Sequence, residues 1–432
     1  MPFEVIGVLG IIILIALICC RMWIGVAMGL VGFVGLWVMR GLPYALNIVG
    51  SAPYANLFAY TLTVIPMFTL MGMFISESKI GAKLYGAAES YVGHRRGGLA
   101  SATVLACGVL GAITGGHYGA TVIMSKLALP EMRKRGYDDE LAGASIASAA
   151  PLAIIIPPSV SMIFYGVLTE TPISKLFMGG LIPGILLAIC FCLAISIICH
   201  KNPDLAPAGP KTDIKTRIKS TVGLLPIAIL IFLVLGTVYT GVCTTTESGA
   251  IGAVGALVIA LCMGDVNFKM LKTCFIETAK NSGMILFLMA GTYIFITFVS
   301  VSKLPFAITE LIIDAHVPFI VLMILVALMY FFLGMILPEI PMMLLTVPLL
   351  WPALDSLGTD PVWFGVVIVM LMALGSITPP VGVVVFILSG VSKIPVLKLF
   401  KGCLPFIITE VLVVLLLCIF PQIVTWLPST MR

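Results

Sequence analysis

Long apolar runs alternate with short polar segments along the whole chain. A bilayer core about 30 Å thick takes about 20 apolar residues of helix. Runs of this kind lie near residues 5–20, 22–39, 56–76, 176–199, 221–241, 247–264, 283–302 and 404–427. The pattern therefore predicts a series of membrane-spanning helices.

Two further stretches, 141–169 and 362–391, are long enough to cross but contain a Pro-Pro pair near the middle. The pairs are Pro157-Pro158 and Pro379-Pro380. Proline removes a backbone donor and clashes with the preceding helical turn, so each of these spans is predicted to be a broken helix.

Residues 97–132 and 319–352 run apolar, then polar, then apolar again. Their middles read Gly115-Gly116-His117-Tyr118-Gly119 and Leu337-Pro338-Glu339-Ile340-Pro341. We interpret both stretches as re-entrant hairpins, which enter and leave the membrane on one face. The fold class predicted is an all-α polytopic membrane protein with about ten crossings and two re-entrant hairpins.

Charge fixes the predicted orientation. The chain is 60% hydrophobic and only 10% charged, which excludes a water-soluble enzyme or a nucleic-acid binder. With the N-terminus outside, nineteen of the 24 Lys and Arg residues fall on the cytoplasmic side, four fall outside, and Lys126 lies within a hairpin arm. This is a strong positive-inside bias, and it predicts that both termini are periplasmic.

The second half of the chain repeats the first at an offset of 222 residues. The shift superposes turn-forming residues, including Gly136 on Gly358, Asp138 on Asp360, and the first Pro-Pro pair on the second. Each half then holds five crossings and one hairpin, so the halves must have opposite orientation. Inverted repeats with broken helices are typical of secondary transporters, whose site lies between the repeats.

This reading divides the chain into five regions: N-terminal scaffold helices over 1–55, a first repeat over 56–199, a cytoplasmic linker over 200–220, a second scaffold pair with an interfacial helix over 221–282, and a second repeat over 283–427. The interfacial helix is predicted over 265–281, where charged and apolar faces alternate at helical spacing.

The sequence contains no motif that indicates enzyme chemistry or ATP hydrolysis. The 11 cysteines lie mostly in apolar runs without a C-x-x-C motif, which favours helix packing over a metal site. The sequence contains no phosphate-binding G-x-x-x-x-G-K-[ST] loop. We therefore predict neither catalytic residues nor a cofactor.

The candidate chemistry lies at the hairpin tips and the helix breaks. Glu339 between two prolines is costly near the membrane centre unless it meets a cation or a partner, and His117 stands at the other tip. Hydroxyls and free backbone carbonyls are hard oxygen ligands that suit sodium. Hydroxyls near these points belong to Thr114, Thr121, Ser159, Thr346 and Thr378.

The sequence resembles the large membrane subunit of tripartite ATP-independent periplasmic (TRAP) transporters over nearly its whole length. The resemblance is densest in Gly111-Ala112-Ile113-Thr114-Gly115, Ile155-Ile156-Pro157-Pro158-Ser159, Leu176-Phe177-Met178-Gly179-Gly180 and Ile377-Thr378-Pro379-Pro380-Val381-Gly382. The chain departs from the family in its Gly-Gly-His-Tyr tip, where a Gly-Ser pattern is expected, and in Glu339, where Asp is common.

The resemblance implies an elevator-type fold of the ion-transporter superfamily in the bacterial inner membrane, which imports small organic acids with sodium as the coupling ion. It implies two partners, a small four-helix membrane subunit and a periplasmic substrate-binding protein. The sodium ligands that it implies map to Thr114, Gly115, Pro157, Ser159, Glu339, Thr378 and Gly382. Residues beside them are expected to contact the substrate, namely Gly116, His117, Thr121, Pro158, Pro379 and Pro380.

Two other functions stay open at this point. One is a stand-alone sodium- or proton-coupled anion symporter or exchanger that needs no binding protein. The other, a non-transporting scaffold or receptor, is disfavoured because such a protein gains nothing from exposed backbone at the membrane midplane.

Overall fold

The computed structural model of the protein describes residues 2–114, 116–210, 212–315, 317–335 and 337–431, with only the backbone described for 112–114. This part of the chain is built of helices and contains no strand. The helices of the first half are α1 (Phe3–Cys19), α2 (Ile24–Arg40), α3 (Leu42–Leu57), α4 (Val64–Ser76), α5 (Ile80–Val92), α6 (Gly98–Thr114), α7 (His117–Lys134), α8 (Asp139–Ala149), α9 (Leu152–Ile155), α10 (Val160–Thr169) and α11 (Ile173–Lys201).

The second half begins with three helices of a scaffold and then repeats the order of the first. Its helices are α12 (Ile214–Tyr239), α13 (Thr245–Cys262), α14 (Phe268–Val301), α15 (Leu304–Asp314), α16 (Phe319–Gly334), α17 (Glu339–Ser356), α18 (Pro361–Ser376), α19 (Val383–Ser392), α20 (Val396–Ile419) and α21 (Gln422–Ser429).

The 222-residue offset holds at the level of helices. The second arm of the first hairpin, α7, and that of the second hairpin, α17, correspond at both ends. The turns that follow also match, because Gly136 and Gly358 both adopt a left-handed backbone, with φ of 75° and 73°. Asp138 and Asp360 then cap the next helices, α8 and α18, by accepting from the backbone N–H groups of Glu140 and Trp363.

Helices α8 and α18 form the centre of the molecule. Every residue of α8 from Leu141 to Ala149 is buried, and so is every residue of α18 from Val362 to Ser376. The two halves interlock around them, since α10 packs against α17 and α19 packs against α7. The half-helix after each break therefore lies against the hairpin of the other repeat.

Small residues let the scaffold helices α2 and α14 approach closely. A Cβ at Gly291 of α14 would collide with the backbone of Gly25, and one at Gly32 would lie 2.9 Å from the Ile294 carbonyl carbon. Neither backbone can yield by a side-chain rotation, so glycine is required along this seam.

The structure differs from the sequence prediction in the second scaffold region. The predicted interfacial helix over 265–281 and the span over 283–302 are one continuous helix, α14, of 34 residues. No proline interrupts this stretch, so nothing in the sequence ends the helix there. A Cβ placed at Gly283 would meet no atom within 4 Å. The linker is also shorter than predicted, because α11 continues to Lys201 and α12 begins at Ile214.

Ion pairs connect segments that are far apart in the sequence. Lys79 Nζ lies 2.8 Å from Asp265, Lys398 Nζ lies 3.2 Å from Asp138, and Arg135 pairs with Glu89. The Lys79 ammonium lowers the pKa of the Asp265 carboxyl through a hydrogen bond. These pairs therefore hold distant segments of the chain together.

Length and composition identify six helices of the described chain as able to cross a membrane, or up to seven if the bent pair formed by Leu42–Leu57 and Tyr60–Ser76 is one span. Further apolar helices, including α1, α2 and α16, are shorter. The number of ten crossings stays a prediction.

Candidate functional site

The two hairpin tips meet inside the molecule. His117 is the first residue of α7, and Glu339 is the first residue of α17. The offset of 222 residues makes them equivalent positions of the two repeats. The His117 Nδ1 atom lies 3.2 Å from the Glu339 Oε2 atom, and the side chains are 1% and 10% exposed. Two residues that the sequence analysis selected separately thus form one buried pair.

The pair leaves polar atoms without hydrogen bonds. The two atoms are close enough for an ion pair, but their geometry is not that of a hydrogen bond. In the described part of the chain, both ring nitrogens of His117 and Oε2 of Glu339 are buried without a hydrogen-bond partner. Glu339 also lies at the positive end of the α17 helix dipole, which favours its negative charge. A buried carboxylate oxygen of this kind can accept a cation.

Neighbouring side chains position the first tip. The Thr121 hydroxyl is buried and donates to the His117 carbonyl at 2.8 Å, which is a local helical contact. The rings of His117 and Tyr118 lie 3.9 Å apart at their centroids. Gly116 precedes the helix in an extended conformation. Thr114, of which only the backbone is described, and Gly115 were also predicted at this tip, but the Thr114 side chain and the whole of Gly115 lie outside the described residues.

The first helix break is buried. Pro157 and Pro158, joined by a cis peptide bond, and Ser159 are all inside the bundle. The Ser159 hydroxyl accepts from the Met162 backbone N–H at 3.3 Å and so caps α10. The hydroxyl of Ser161, the second residue of α10, is buried without a partner among the described residues. The break therefore offers polar groups in an apolar surrounding.

The second break is more open than its counterpart. Pro379 and Pro380, also joined by a cis bond, are exposed. The buried Thr378 hydroxyl donates to the Leu374 carbonyl at 2.6 Å, and Gly382 starts α19 with a φ of 48°. Thr346 bonds back to the Met342 carbonyl and contacts the Tyr330 hydroxyl at 2.6 Å. The structure thus brings His117 and Glu339 together but does not bring Pro379 and Pro380 into the same buried environment.

Two cavities reach the hairpin tips. A cavity of about 300 Å³ lies between the scaffold helices α2 and α14 and the tips, and Glu339 and Tyr118 both line it. A second cavity of about 730 Å³ runs from Glu77 and Lys79 to Tyr118. Tyr118 belongs to both, so the pair of His117 and Glu339 lies beside a space that extends to the face of the molecule.

One buried acid was not among the site residues predicted from the sequence. Glu410, in the middle of α20, is fully buried, and neither carboxyl oxygen has a hydrogen-bond partner among the described residues. The signal was present, because Glu410 is a charged residue within the apolar run over 404–427. A carboxyl group without a partner is costly in such a place.

The chain is similar to known proteins in both fold and sequence. The chain resembles in fold the Alcanivorax borkumensis YdaH transporter, with a TM-score of 0.62 at 15% sequence identity over 91% of this chain and 90% of that one. Over 87% of both chains it is 32% identical to the C4-dicarboxylate TRAP transporter large permease protein DctM of Vibrio cholerae.

Two other relatives carry different substrate names. The sialic acid TRAP transporter large permease protein SiaM of Vibrio cholerae is 29% identical over 86% of both chains. The ectoine TRAP transporter large permease protein TeaC of Halomonas elongata is 32% identical over 85% of this chain and 86% of that protein.

A family model matches almost the full length as well. Residues 11–423 match the family described as "Tripartite ATP-independent periplasmic transporter, DctM component". With the inverted repeat and the paired hairpins, the match confirms the resemblance seen in the sequence. The chain belongs to this family and is the large membrane subunit of a TRAP transporter, a transport protein and not an enzyme.

Proposed function

We propose that the chain is the transmembrane subunit of a sodium-coupled importer of small organic acids, with the sodium site at the meeting point of the two hairpins. The observation that carries the proposal is the buried contact of His117 with Glu339, where equivalent positions of the two repeats meet and polar atoms lack partners. A site shared by both repeats is the arrangement that alternating access requires.

Sodium is the coupling ion and travels with the substrate. The Glu339 carboxylate supplies the negative charge, and the predicted oxygen ligands are Ser159 and Thr378 at the breaks and backbone groups at Thr114, Gly115, Pro157 and Gly382. A membrane potential contributes about 2.3 kcal/mol per charge per 100 mV. Two or more sodium ions can therefore concentrate a mono- or dianion without ATP.

The substrate class follows from the family and not from the site alone. Relatives are named for C4-dicarboxylates, sialic acid and ectoine, all small molecules that carry a carboxylate. We infer that this chain moves a small carboxylate as well, and that the periplasmic binding protein makes the finer selection.

The working protein is an assembly in this proposal. It comprises this chain, a separate small four-helix membrane subunit and the periplasmic binding protein, in the inner membrane with both termini of this chain periplasmic. The hairpins and broken helices, α6–α11 and α16–α21, move as one body against the scaffold helices, of which α2, α4, α13 and α14 pack on one another.

Uptake into proteoliposomes tests the proposal. Vesicles with the large and small subunits should accumulate the substrate only when the binding protein is present and an inward sodium gradient is imposed. An inward proton gradient of equal size without sodium is the control. Equal uptake with protons alone contradicts the sodium coupling, and full uptake without the binding protein supports the stand-alone symporter instead.

A further inference from the structure

Lys126 is a cation within the first hairpin that no carboxylate neutralises. It lies in α7, eight residues after Tyr118, and its side chain is exposed. In the described part of the chain, ion pairs within 4.0 Å form at other cations, such as Lys79, Arg133 and Lys398, and none forms at Lys126. Within a predicted re-entrant hairpin, an ionisable residue commonly marks a substrate or ion path.

The exposed Lys126 side chain lines a cavity. The cavity of about 730 Å³ is bounded by α4, α5, α7 and α19, and the side of α7 that lines it consists of Tyr118, Gly119, Val122, Ile123, Lys126 and Leu127. Tyr118 is one end of this series, and its ring lies against the His117 ring at an angle of 53°. At about 1.5 Å per residue, Lys126 stands about 12 Å along the helix from Tyr118.

Only the first of the two repeats carries a cation at this position. The position of the second hairpin that corresponds to Lys126 is Pro348, so the repeat provides no matching cation there. At the mouth of the cavity, Lys79 is paired with Asp265, and Glu77 also lines the wall. Of the two lysines that line this cavity, Lys126 is therefore the one without an ion pair among the described residues.

We propose that Lys126 binds the carboxylate of the substrate on its path between the hairpin tips and the face that carries Lys79. The proposal rests on the proposed transport of organic anions and adds the residue that attracts them. An ammonium group that lines a cleft with mostly apolar walls raises the local concentration of anions and lowers that of cations. A lysine that merely reaches the lipid headgroups has no such effect on the cavity.

Charged thiol reagents measure this attraction without a transport assay. A cysteine is placed at Val122, one turn from Lys126, in the purified full-length chain. Its modification rates are measured with sulfonatoethyl methanethiosulfonate, an organic anion, and trimethylammonioethyl methanethiosulfonate, a cation. The parent chain without Val122→Cys gives the background from native thiols. Gly119→Cys is a second reporter, because a Cβ at Gly119 meets no atom within 4 Å.

We expect Lys126→Gln to lower the ratio of anion to cation rates about tenfold, and Lys126→Arg to retain it. The matched control is Lys303→Gln, which removes a cation that does not line this cavity and should leave the ratio unchanged. An unchanged ratio in Lys126→Gln, or an equal fall in Lys303→Gln, overturns the proposal. Because the reagents need neither sodium nor substrate, this outcome is independent of the uptake test.

Discussion

Glu339→Gln raises the sodium concentration needed for half-maximal uptake by about tenfold or more. The substitution keeps the shape of the side chain but removes its charge from a buried position whose Oε2 atom has no hydrogen-bond partner among the described residues. A contact to a charged group is worth about 1.5–3 kcal/mol, which corresponds to about a ten- to hundredfold change in affinity. The measurement is substrate uptake into proteoliposomes at increasing sodium concentration.

Two further variants separate a sodium role from a general effect of charge. Glu339→Asp keeps a carboxylate on a shorter side chain and should retain most of the sodium affinity. Glu310→Gln removes an exposed carboxylate of α15 and should change nothing. If Glu339→Gln keeps the wild-type sodium requirement, Glu339 has no role in sodium binding.

Impermeant maleimide labels Cys243 but not Cys262 in intact cells. The two thiols lie on either side of α13, Cys243 just before the helix and Cys262 as its last residue. An 18-residue helix is about 27 Å long, so one crossing separates them. The predicted orientation places Cys243 outside and Cys262 in the cytoplasm. Both are accessible, since Cys243 is partly exposed and Cys262 is exposed.

The labelling uses two variants, one that keeps Cys243 without Cys262 and one that keeps Cys262 without Cys243. The labelling is repeated after the cells are permeabilised. Cys262 should then react, which shows that it was shielded by the membrane and not by the fold. Labelling of Cys262 alone in intact cells would reverse the orientation, and with it the side from which each hairpin enters.

The inverted repeat could be predicted from the sequence because it depends on turn residues with fixed backbone needs. Gly136 and Gly358 have a left-handed backbone, which favours glycine, and Asp138 and Asp360 cap the helices that follow. Those residue types can be recognised in any sequence. The same offset placed His117 and Glu339 at equivalent positions, although only the fold shows that the two side chains are in contact.

The asymmetry of the two breaks could not be predicted in this way. Both Pro-Pro pairs interrupt their helices, but Pro157 and Pro158 are buried while Pro379 and Pro380 are exposed. Burial depends on which helices pack over each break, and the local sequence does not contain that information. The continuous helix α14 was predicted as two helices. A charged face that alternates with an apolar one is typical of an interfacial helix, but it also suits the exposed end of a long span.

Direct sodium binding tests the proposed site at the hairpin tips most directly. Radioactive sodium is equilibrated with the purified chain in the absence of substrate and binding protein, with potassium as the competing background ion. We predict saturable binding to the wild-type chain and a loss of affinity of about tenfold or more in Glu339→Gln. Wild-type protein that binds no sodium above background, or Glu339→Gln that binds it equally well, contradicts the account.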